Sequence, residues 1–375
     1  MSVAGKKFRL MTTILVPLTA FGLLAGCAKS STDSGSSNAS GSKASTAPKD
    51  ITIALSNSFI GNPWRQTMVK IFEDAANDAK SKGLIKDFST NNTAQNTATE
   101  QIGQIKSLIL KKPSAILINS ASPTALNTVI KQACDAGIVV ITFDSVASEP
   151  CEYNLAADLT KYGELGADGV IQAMGGKGNV IVVRGVVGSQ PDKLIYNGQM
   201  SVIKKAPGIK VLSELQGEAS NSVTQQSVQS ALPSLPKVDG VITGGSTYGA
   251  LQAFQAAGKP LPFGNFSNDG TDLSLWKQLK VKDPNFKAAS VRPDPGQSAF
   301  ALYEAIAILE GAKVPKSLIM PNVFITEDTF AQWVAVTPPS ATAAWQWNQQ
   351  QTLAGIAAQA SGKEMPTPNI PTSAP

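Results

Sequence analysis

Short apolar runs rich in β-branched residues alternate with helix-like segments from residue 51 to about residue 330. The strand-like runs include "ITIALS" (51–56), "AILIN" (115–119), "IVVITFD" (138–144) and "NVIVVRG" (179–185). They are apolar on both faces, as expected of parallel strands that helices cover on both sides. Repeated strand–helix units of this kind predict an α/β fold with doubly wound parallel sheets.

The strand-like runs are too many for one comfortable sheet, and the pattern breaks near "AADLT" (156–160). The sequence therefore predicts two Rossmann-like domains with a cleft between them. In such sheets ligands bind outside the carboxyl ends of the strands. The residues that directly follow each strand are the candidate site.

Composition excludes several classes of function. The chain contains no histidine, which rules out Ser-His-Asp and Cys-His catalytic arrangements and every histidine metal site. No nucleophile–base pair, metal cluster or cofactor fingerprint is present, so we expect no enzyme activity, no cofactor and no metal. The net charge is +5, with Lys6, Lys7 and Arg9 at the extreme N-terminus, so nothing indicates a nucleic-acid partner.

The N-terminus has the pattern of an export signal. "KKFR" is a positive region, "LMTTILVPLTAFG" is an apolar stretch too short to span a membrane, and "LLAGC" (23–27) closes it. This ending resembles the lipobox of bacterial lipoproteins. The resemblance implies a signal peptide over 1–26 and a lipid on Cys27, the alternative being an ordinary secretory signal. Residues 27–49 are Ser-rich and predict a disordered tether.

Two further cysteines, Cys134 and Cys151, would meet oxidising conditions in an exported chain. We expect them to form a disulfide; the alternative is two separate buried thiols.

The fragment "NPWR" (62–65) follows the first strand-like run. Asn62 is a good helix N-cap and Pro63 suits the first helical position, so Trp64 and Arg65 fall in the first turn, at the edge of the predicted cleft. An indole stacks on the apolar face of a sugar ring, and a guanidinium donates to hydroxyls or to a ring oxygen. The alternative is a Trp packed between helices beside a solvated Arg.

Other polar residues also follow strand-like runs. Asn119 and Asp144 end the third and fourth, and a carboxylate in such a place can accept two hydroxyls of a polyol. Asp269 and Arg292 follow strands of the second domain, and Lys193 opens a helix there. The competing interpretations are an N-cap or hinge contact for Asp144, a helix cap for Asp269, and a plain surface residue for Lys193.

Together, "NPW", "AILINSASPTALNTVIKQACDAGIVVITFD" and "NDGTD" resemble the type 1 periplasmic binding proteins of bacterial sugar ABC transporters, above all the ribose and galactofuranose binders. The resemblance covers about residues 50–330. It implies ligand-binding roles for Asn62, Trp64, Asn119, Asp144, Asp269 and Arg292. Arg65 matches the Trp-Arg pair of galactofuranose-type members. Lys193 lies close to the position where the family usually has a ligand-binding Arg, and could take its role.

The chain departs from the family pattern at three places. Ile195 stands where the family usually has an Arg, Ser145 follows Asp144 where an Arg is usual, and "TGGS" (243–246) replaces a segment that carries an Asn in the family. A tight turn is the preferred interpretation of this glycine pair.

The resemblance also implies domain pairing through a hinge that the chain crosses several times. It assigns residues 50–157 and 293–315 to an N-terminal lobe and residues 158–292 and 316–350 to a C-terminal lobe. The Pro-rich stretch 351–375 is expected to be a disordered tail.

The implied function is ligand capture. The resemblance predicts a lipid-anchored, monomeric binding protein on the outer face of the cytoplasmic membrane. It would close on a monosaccharide or similar polyol and present it to an ABC permease with its ATPase. The alternative is a sensory protein that presents the same ligand to a membrane receptor.

Overall fold

The computed structural model describes residues 50–187 and 189–374. The predicted signal peptide, Cys27 and the whole predicted tether lie outside these ranges. Within the described residues no helix is long and apolar enough to cross a membrane.

The strands, numbered in chain order, have the following bounds: β1 Thr52–Asn57, β2 Asp87–Asn92, β3 Ala115–Asn119, β4 Val139–Asp144, β5 Tyr153–Ala157, β6 Gly178–Arg184, β7 Ile209–Gln216, β8 Gly240–Thr243, β9 Phe263–Phe266, β10 Ala289–Pro293, β11 Ser317–Met320 and β12 Asn322–Ile325. The α-helices are α1 Pro63–Ser81, α2 Ala98–Lys111, α3 Asn127–Asp135, α4 Leu159–Ala173, α5 Gln190–Ile203, α6 Asn221–Ala231, α7 Thr247–Ala256, α8 Gly270–Lys282, α9 Gln297–Leu309, α10 Glu327–Val336 and α11 Gln349–Ala360. A short 3₁₀ helix covers Leu232–Ser234.

These strands form two six-stranded sheets, which confirms the predicted doubly wound α/β fold. The first lobe has the order β11-β5-β4-β3-β1-β2, and every neighbouring pair is parallel. The second lobe has the order β12-β10-β9-β8-β6-β7, with only β12 antiparallel to its neighbour. Since the parallel strands of a sheet end at one edge, each lobe gathers its strand-end residues there.

Helix α1 shows how local sequence sets the start of an element. The Asn62 side chain accepts a hydrogen bond from the Arg65 backbone N–H, and Pro63 occupies the first helical position. Met68, Phe72 and other apolar residues at helical spacing are fully buried against the first sheet. The cap and the apolar face together fix where Trp64 and Arg65 lie.

The segment "SLIMPNVFI" differs from the sequence expectation. The resemblance assigns residues 316–350 to the C-terminal lobe, but β11 pairs with β5 in the first sheet and only β12 pairs with β10 in the second. Pro321 separates the two strands; it has no N–H to donate, which explains the break. The N-terminal lobe therefore regains residues up to Met320 rather than up to 315.

The expected disordered tail is also a wrong prediction for most of its length. Helix α11 begins at Gln349 with a capping box formed by Asn348 and Gln351, and it packs on α9 of the first lobe. Beyond it Met365 is buried in the same core. The tail is ordered because this helix carries an apolar face, formed by Gly355 and Ile356, that meets α9.

Residues 337–348, here called the C-terminal strap, connect α10 of the second lobe with α11 of the first. The Thr342 backbone N–H donates to the Thr67 hydroxyl in α1, 3.0 Å away. The Ala343 N–H donates to the Asn268 carbonyl of the second lobe at 2.9 Å. The Trp347 indole donates to the Asp294 carboxylate at the hinge at 2.8 Å. The strap is thus a further crossing between the lobes, besides those at 157–159, 293–297 and 320–322.

Cys134 and Cys151 are joined by a disulfide in the structure, with their Cα atoms 6.4 Å apart. The bond links the end of α3 to the loop before β5, on the side of the first sheet that α2 and α3 cover.

Candidate ligand-binding site

Four polar side chains meet at the carboxyl edge of the first sheet. Asn57 ends β1, Asn119 ends β3, Asp144 ends β4, and Arg65 reaches them from the first turn of α1. The Arg65 Nη1 donates to Asn57 Oδ1 at 2.7 Å, and its Nη2 lies 4.0 Å from Asp144 Oδ2. Asn119 Nδ2 donates to the same Asp144 oxygen at 3.3 Å. The structure therefore brings together three of the sequence-predicted residues, Arg65, Asn119 and Asp144.

Asp144 has an uncommon backbone conformation and a carboxyl group with a raised pKa. Its backbone has φ 58°, in the left-handed region that residues other than glycine rarely adopt, which is typical of functional sites. Burial raises the pKa of its carboxyl above the ordinary value, and the nearby Arg65 guanidinium offsets part of this rise. A carboxylate with so few internal partners has room to accept hydrogen bonds from a ligand.

Asn62 and Trp64 take structural positions. Asn62 caps α1 with its side-chain oxygen, as described above. Trp64 is only 4% exposed and belongs to the hydrophobic core, and its indole donates to the Pro293 carbonyl at 2.8 Å. These contacts favour the packing alternative for Trp64, while ligand stacking stays a prediction.

A second cluster lies at the carboxyl edge of the second sheet. Asp269 precedes α8, and its carboxylate accepts hydrogen bonds from Arg292 in β10, from Ser267 and from the Thr342 hydroxyl of the strap. The Arg292 and Asp269 side chains are 26% and 18% exposed, so both keep surface that a ligand could contact. Asp269 occupies the N-cap position of α8, but its side chain makes no capping hydrogen bond, so its carboxylate is used in the contacts above instead.

The two clusters interact electrostatically across the hinge. Burial raises the pKa of Asp144, and the positive charge of Arg292 offsets a small part of this rise, so the guanidinium of one lobe is within electrostatic reach of the carboxyl of the other. Arginines and carboxylates thus occur on both sides of the hinge. This arrangement offers donors and acceptors at several angles, as a polyhydroxylated ligand requires.

Lys193 lies apart from these contacts. Its side chain is exposed near the start of α5 and makes no hydrogen bond or ion pair with any described residue. Arg184, which ends β6, is instead a half-buried cation of that region and pairs with the buried Asp192. The structure thus favours the surface interpretation of Lys193, whose ligand contact stays a prediction.

Sequence reasoning missed Asn57, Ser267 and Thr342 of these clusters. Asn57 directly follows "ITIALS" and is the last residue of β1. The rule that ligands bind at the carboxyl ends of parallel strands, here called the strand-end rule, would therefore have identified it. Thr342 carries no comparable signal, because it lies in an irregular segment 73 residues after Asp269.

Metal binding finds no support in the geometry. Over residues 50–187 and 189–374, no three Asp, Glu, Cys or His side chains group in a way that could hold a metal ion.

Comparisons with known proteins agree with this architecture. The family described as "Periplasmic binding protein domain" matches residues 53–313. The Ribose import binding protein RbsB of Bacillus subtilis (strain 168) is 26% identical over 276 residues, which are 73% of this chain and 86% of the relative.

Solved structures give the same result. An ABC transporter solute binding protein from Thermobispora bispora DSM 43833 is 44% identical with a TM-score of 0.73, over 86% of this chain and 100% of that chain. A periplasmic solute binding protein from Actinobacillus succinogenes 130z with bound D-allose shares the fold, with 21% identity and a TM-score of 0.64 over 75% of this chain and 99% of that one. The chain therefore belongs to the periplasmic binding protein family, among the solute-binding proteins of ABC transporters.

Proposed function

We propose that this protein captures a monosaccharide or a closely related polyol between its two lobes and delivers it to the permease of an ABC transporter. One observation carries the proposal: Arg65, Asn119 and Asp144 gather at the carboxyl edge of the first sheet, and Arg292, which pairs with Asp269 at the edge of the second, is within electrostatic reach of Asp144. A ligand bound to both sets would hold the lobes together, since it contacts both only when they are closed.

The chemistry of the side chains supports a neutral, hydroxyl-rich ligand. The two arginines are each opposed by a carboxylate, Asp144 and Asp269, so the site carries no large excess of either charge. Carboxylates accept hydrogen bonds from hydroxyl groups, while guanidinium groups donate to hydroxyl or ring oxygens. The relatives named for ribose and D-allose carry ligands of this class.

Titration calorimetry tests the proposal with D-ribose, D-allose, xylitol and myo-inositol as probes. We expect at least one probe to bind, and Asp144→Asn to weaken that probe at least about tenfold, because hydrogen bonds to a charged group are lost. Asp135→Asn is the matched control, since Asp135 is an exposed carboxylate of the same lobe that pairs with Lys131. Failure of every probe to bind, or equal affinities of Asp144→Asn and wild type, would contradict the proposal.

We further propose that the protein acts as a monomer on the outer face of the cytoplasmic membrane, anchored by a lipid on Cys27. The support is the leader ending in "LLAGC". Cys27→Ser should move the protein from the detergent phase to the aqueous phase in a phase-partition experiment, or leave it unprocessed. An unchanged distribution of the mature variant would rule out the anchor.

A further inference from the structure

Tyr162 is a buried tyrosine whose hydroxyl has no hydrogen-bond partner among residues 50–187 and 189–374. It lies in the first turn of α4, directly after the crossing from the first lobe, and is only 6% exposed. A phenol buried to this extent normally finds a partner for its hydroxyl. The hydroxyl is therefore free to bond a group from outside the chain, either water or a ligand.

The charges around Tyr162 place it at the candidate site. Burial raises the pKa of its phenol to about 12, Arg292 acts to lower this pKa, and Asp269 and Asp272 act to raise it. These three side chains belong to the second-lobe part of the site or its immediate support. The phenol is therefore within electrostatic reach of the groups that the proposed function assigns to the ligand.

Gly245 provides the space in front of the hydroxyl. A Cβ atom on Gly245 would lie 3.2 Å from the Tyr162 hydroxyl oxygen, so only the absence of a side chain there leaves the oxygen accessible. The backbone of Gly245 has φ 113°, a conformation that residues with a side chain rarely adopt.

The turn that carries Gly245 is held firmly. The Thr243 hydroxyl accepts from the N–H groups of Gly245 and Ser246, both at 3.1 Å, and the Asn265 side chain bonds both backbone groups of Thr243. The turn therefore holds Gly245 in a fixed position beside the Tyr162 hydroxyl.

We propose that the Tyr162 hydroxyl contacts the ligand directly, hydrogen-bonding one hydroxyl of the captured sugar beside Gly245 and the Asp269–Arg292 pair, and so helps to set specificity. This inference rests on the proposed function and adds a residue to its site. A tyrosine at this place selects for a ligand with a hydroxyl in the matching position, since an analogue without it leaves the phenol unpaired.

Calorimetry with the same four probes tests this contact through Tyr162→Phe, which removes one oxygen atom and keeps the ring. We expect the best probe to bind about five- to tenfold more weakly, with the apo Tm within about 1 °C of wild type, because no internal hydrogen bond is lost. Tyr303→Phe is the matched control. The Tyr303 hydroxyl bonds Ala75 and Asp78 outside the site, so this variant should lose stability and keep its affinity.

Monodeoxy analogues of the best probe provide the decisive comparison. One analogue should lose affinity for the wild type but show no further loss with Tyr162→Phe, because both changes remove the same hydrogen bond. The inference is overturned if Tyr162→Phe binds the probe as tightly as wild type, or if the losses are additive for every analogue. If wild type binds none of the four probes, the proposed function fails and this inference fails with it.

Discussion

The indole Nε1 of Trp64, in the first turn of α1, donates a hydrogen bond to the Pro293 carbonyl, 2.8 Å away, where β10 leads into the hinge. This bond ties the first helix of one lobe to the last parallel strand of the other lobe's sheet. Trp64 is therefore a buried link between the lobes.

Replacing Trp64 should therefore affect folding as well as binding. Trp64→Phe removes the donor to the half-buried Pro293 carbonyl, which should lower the apo Tm by about 2–4 °C. Thermal unfolding of the ligand-free protein measures the effect. Trp276→Phe is the matched control, because the buried Trp276 indole has no hydrogen-bond partner among the described residues. If both variants lose the same stability, the Pro293 bond contributes nothing.

Replacing Arg65 with lysine should weaken ligand binding. The Arg65→Lys ammonium cannot both bond Asn57 and lie beside Asp144 as the planar guanidinium does. We expect the best probe of the calorimetric panel to bind about tenfold more weakly, corresponding to about 1.4 kcal/mol. Arg184→Lys serves as control, since Arg184 pairs with Asp192 within the second lobe. Equal affinity losses in the two variants would remove Arg65 from the site.

The strap residue Thr342 should act on the ligand through Asp269. Thr342→Val keeps the shape of the side chain but removes its hydrogen bond to the Asp269 carboxylate, so the carboxylate is less well oriented. Affinity for the best probe should fall about two- to tenfold in calorimetry. Thr337→Val is the control, because Thr337 is buried at the other end of the strap and its hydroxyl makes no hydrogen bond with a described residue. An equal or greater loss with Thr337→Val would mean that the strap acts only through general stability.

Glu304 should make the stability of the protein depend on pH. It is fully buried in α9, neither carboxylate oxygen has a hydrogen-bond partner within the described residues, and burial raises its pKa to about 8. The unfolded chain loses this proton near pH 4.5, so the native state binds more protons between about pH 4.5 and pH 8. Stability from this group is fully present below pH 4.5 and falls as the pH rises to about 8.

Glu304→Gln removes the titration and should therefore raise the Tm increasingly over the same pH range. The gain relative to wild type should be small at pH 4 and reach at least about 4 °C at pH 8, since one pKa unit corresponds to about 1.4 kcal/mol. Differential scanning calorimetry across this range measures it. The exposed Glu364→Gln should show no such trend, and a gain that does not change with pH would contradict the assignment.

The two-lobe architecture was predictable because it depends on patterns that are local in sequence. Strands such as β3 and β4 are apolar on both faces, and helices such as α1 carry their own cap and apolar face. The strand-end rule then placed Asn119, Asp144, Asp269 and Arg292 correctly at the carboxyl edges of the sheets. The polar edge strand β2, "DFSTNN", escaped this reasoning because it lacks the apolar signal.

Tertiary packing determined which distant elements contact each other, and local sequence patterns carry no information about this. Whether Trp64 faces a cleft or a core depends on how closely Pro293 approaches it, across 229 residues of chain. The assignment of β11 and β12 to different sheets, the docking of α11, and the contact of Thr342 with Asp269 likewise join residues far apart in sequence. Periodicity shows which face of an element is apolar, but it does not show which distant element covers that face, and this is why only the folded structure settled these positions.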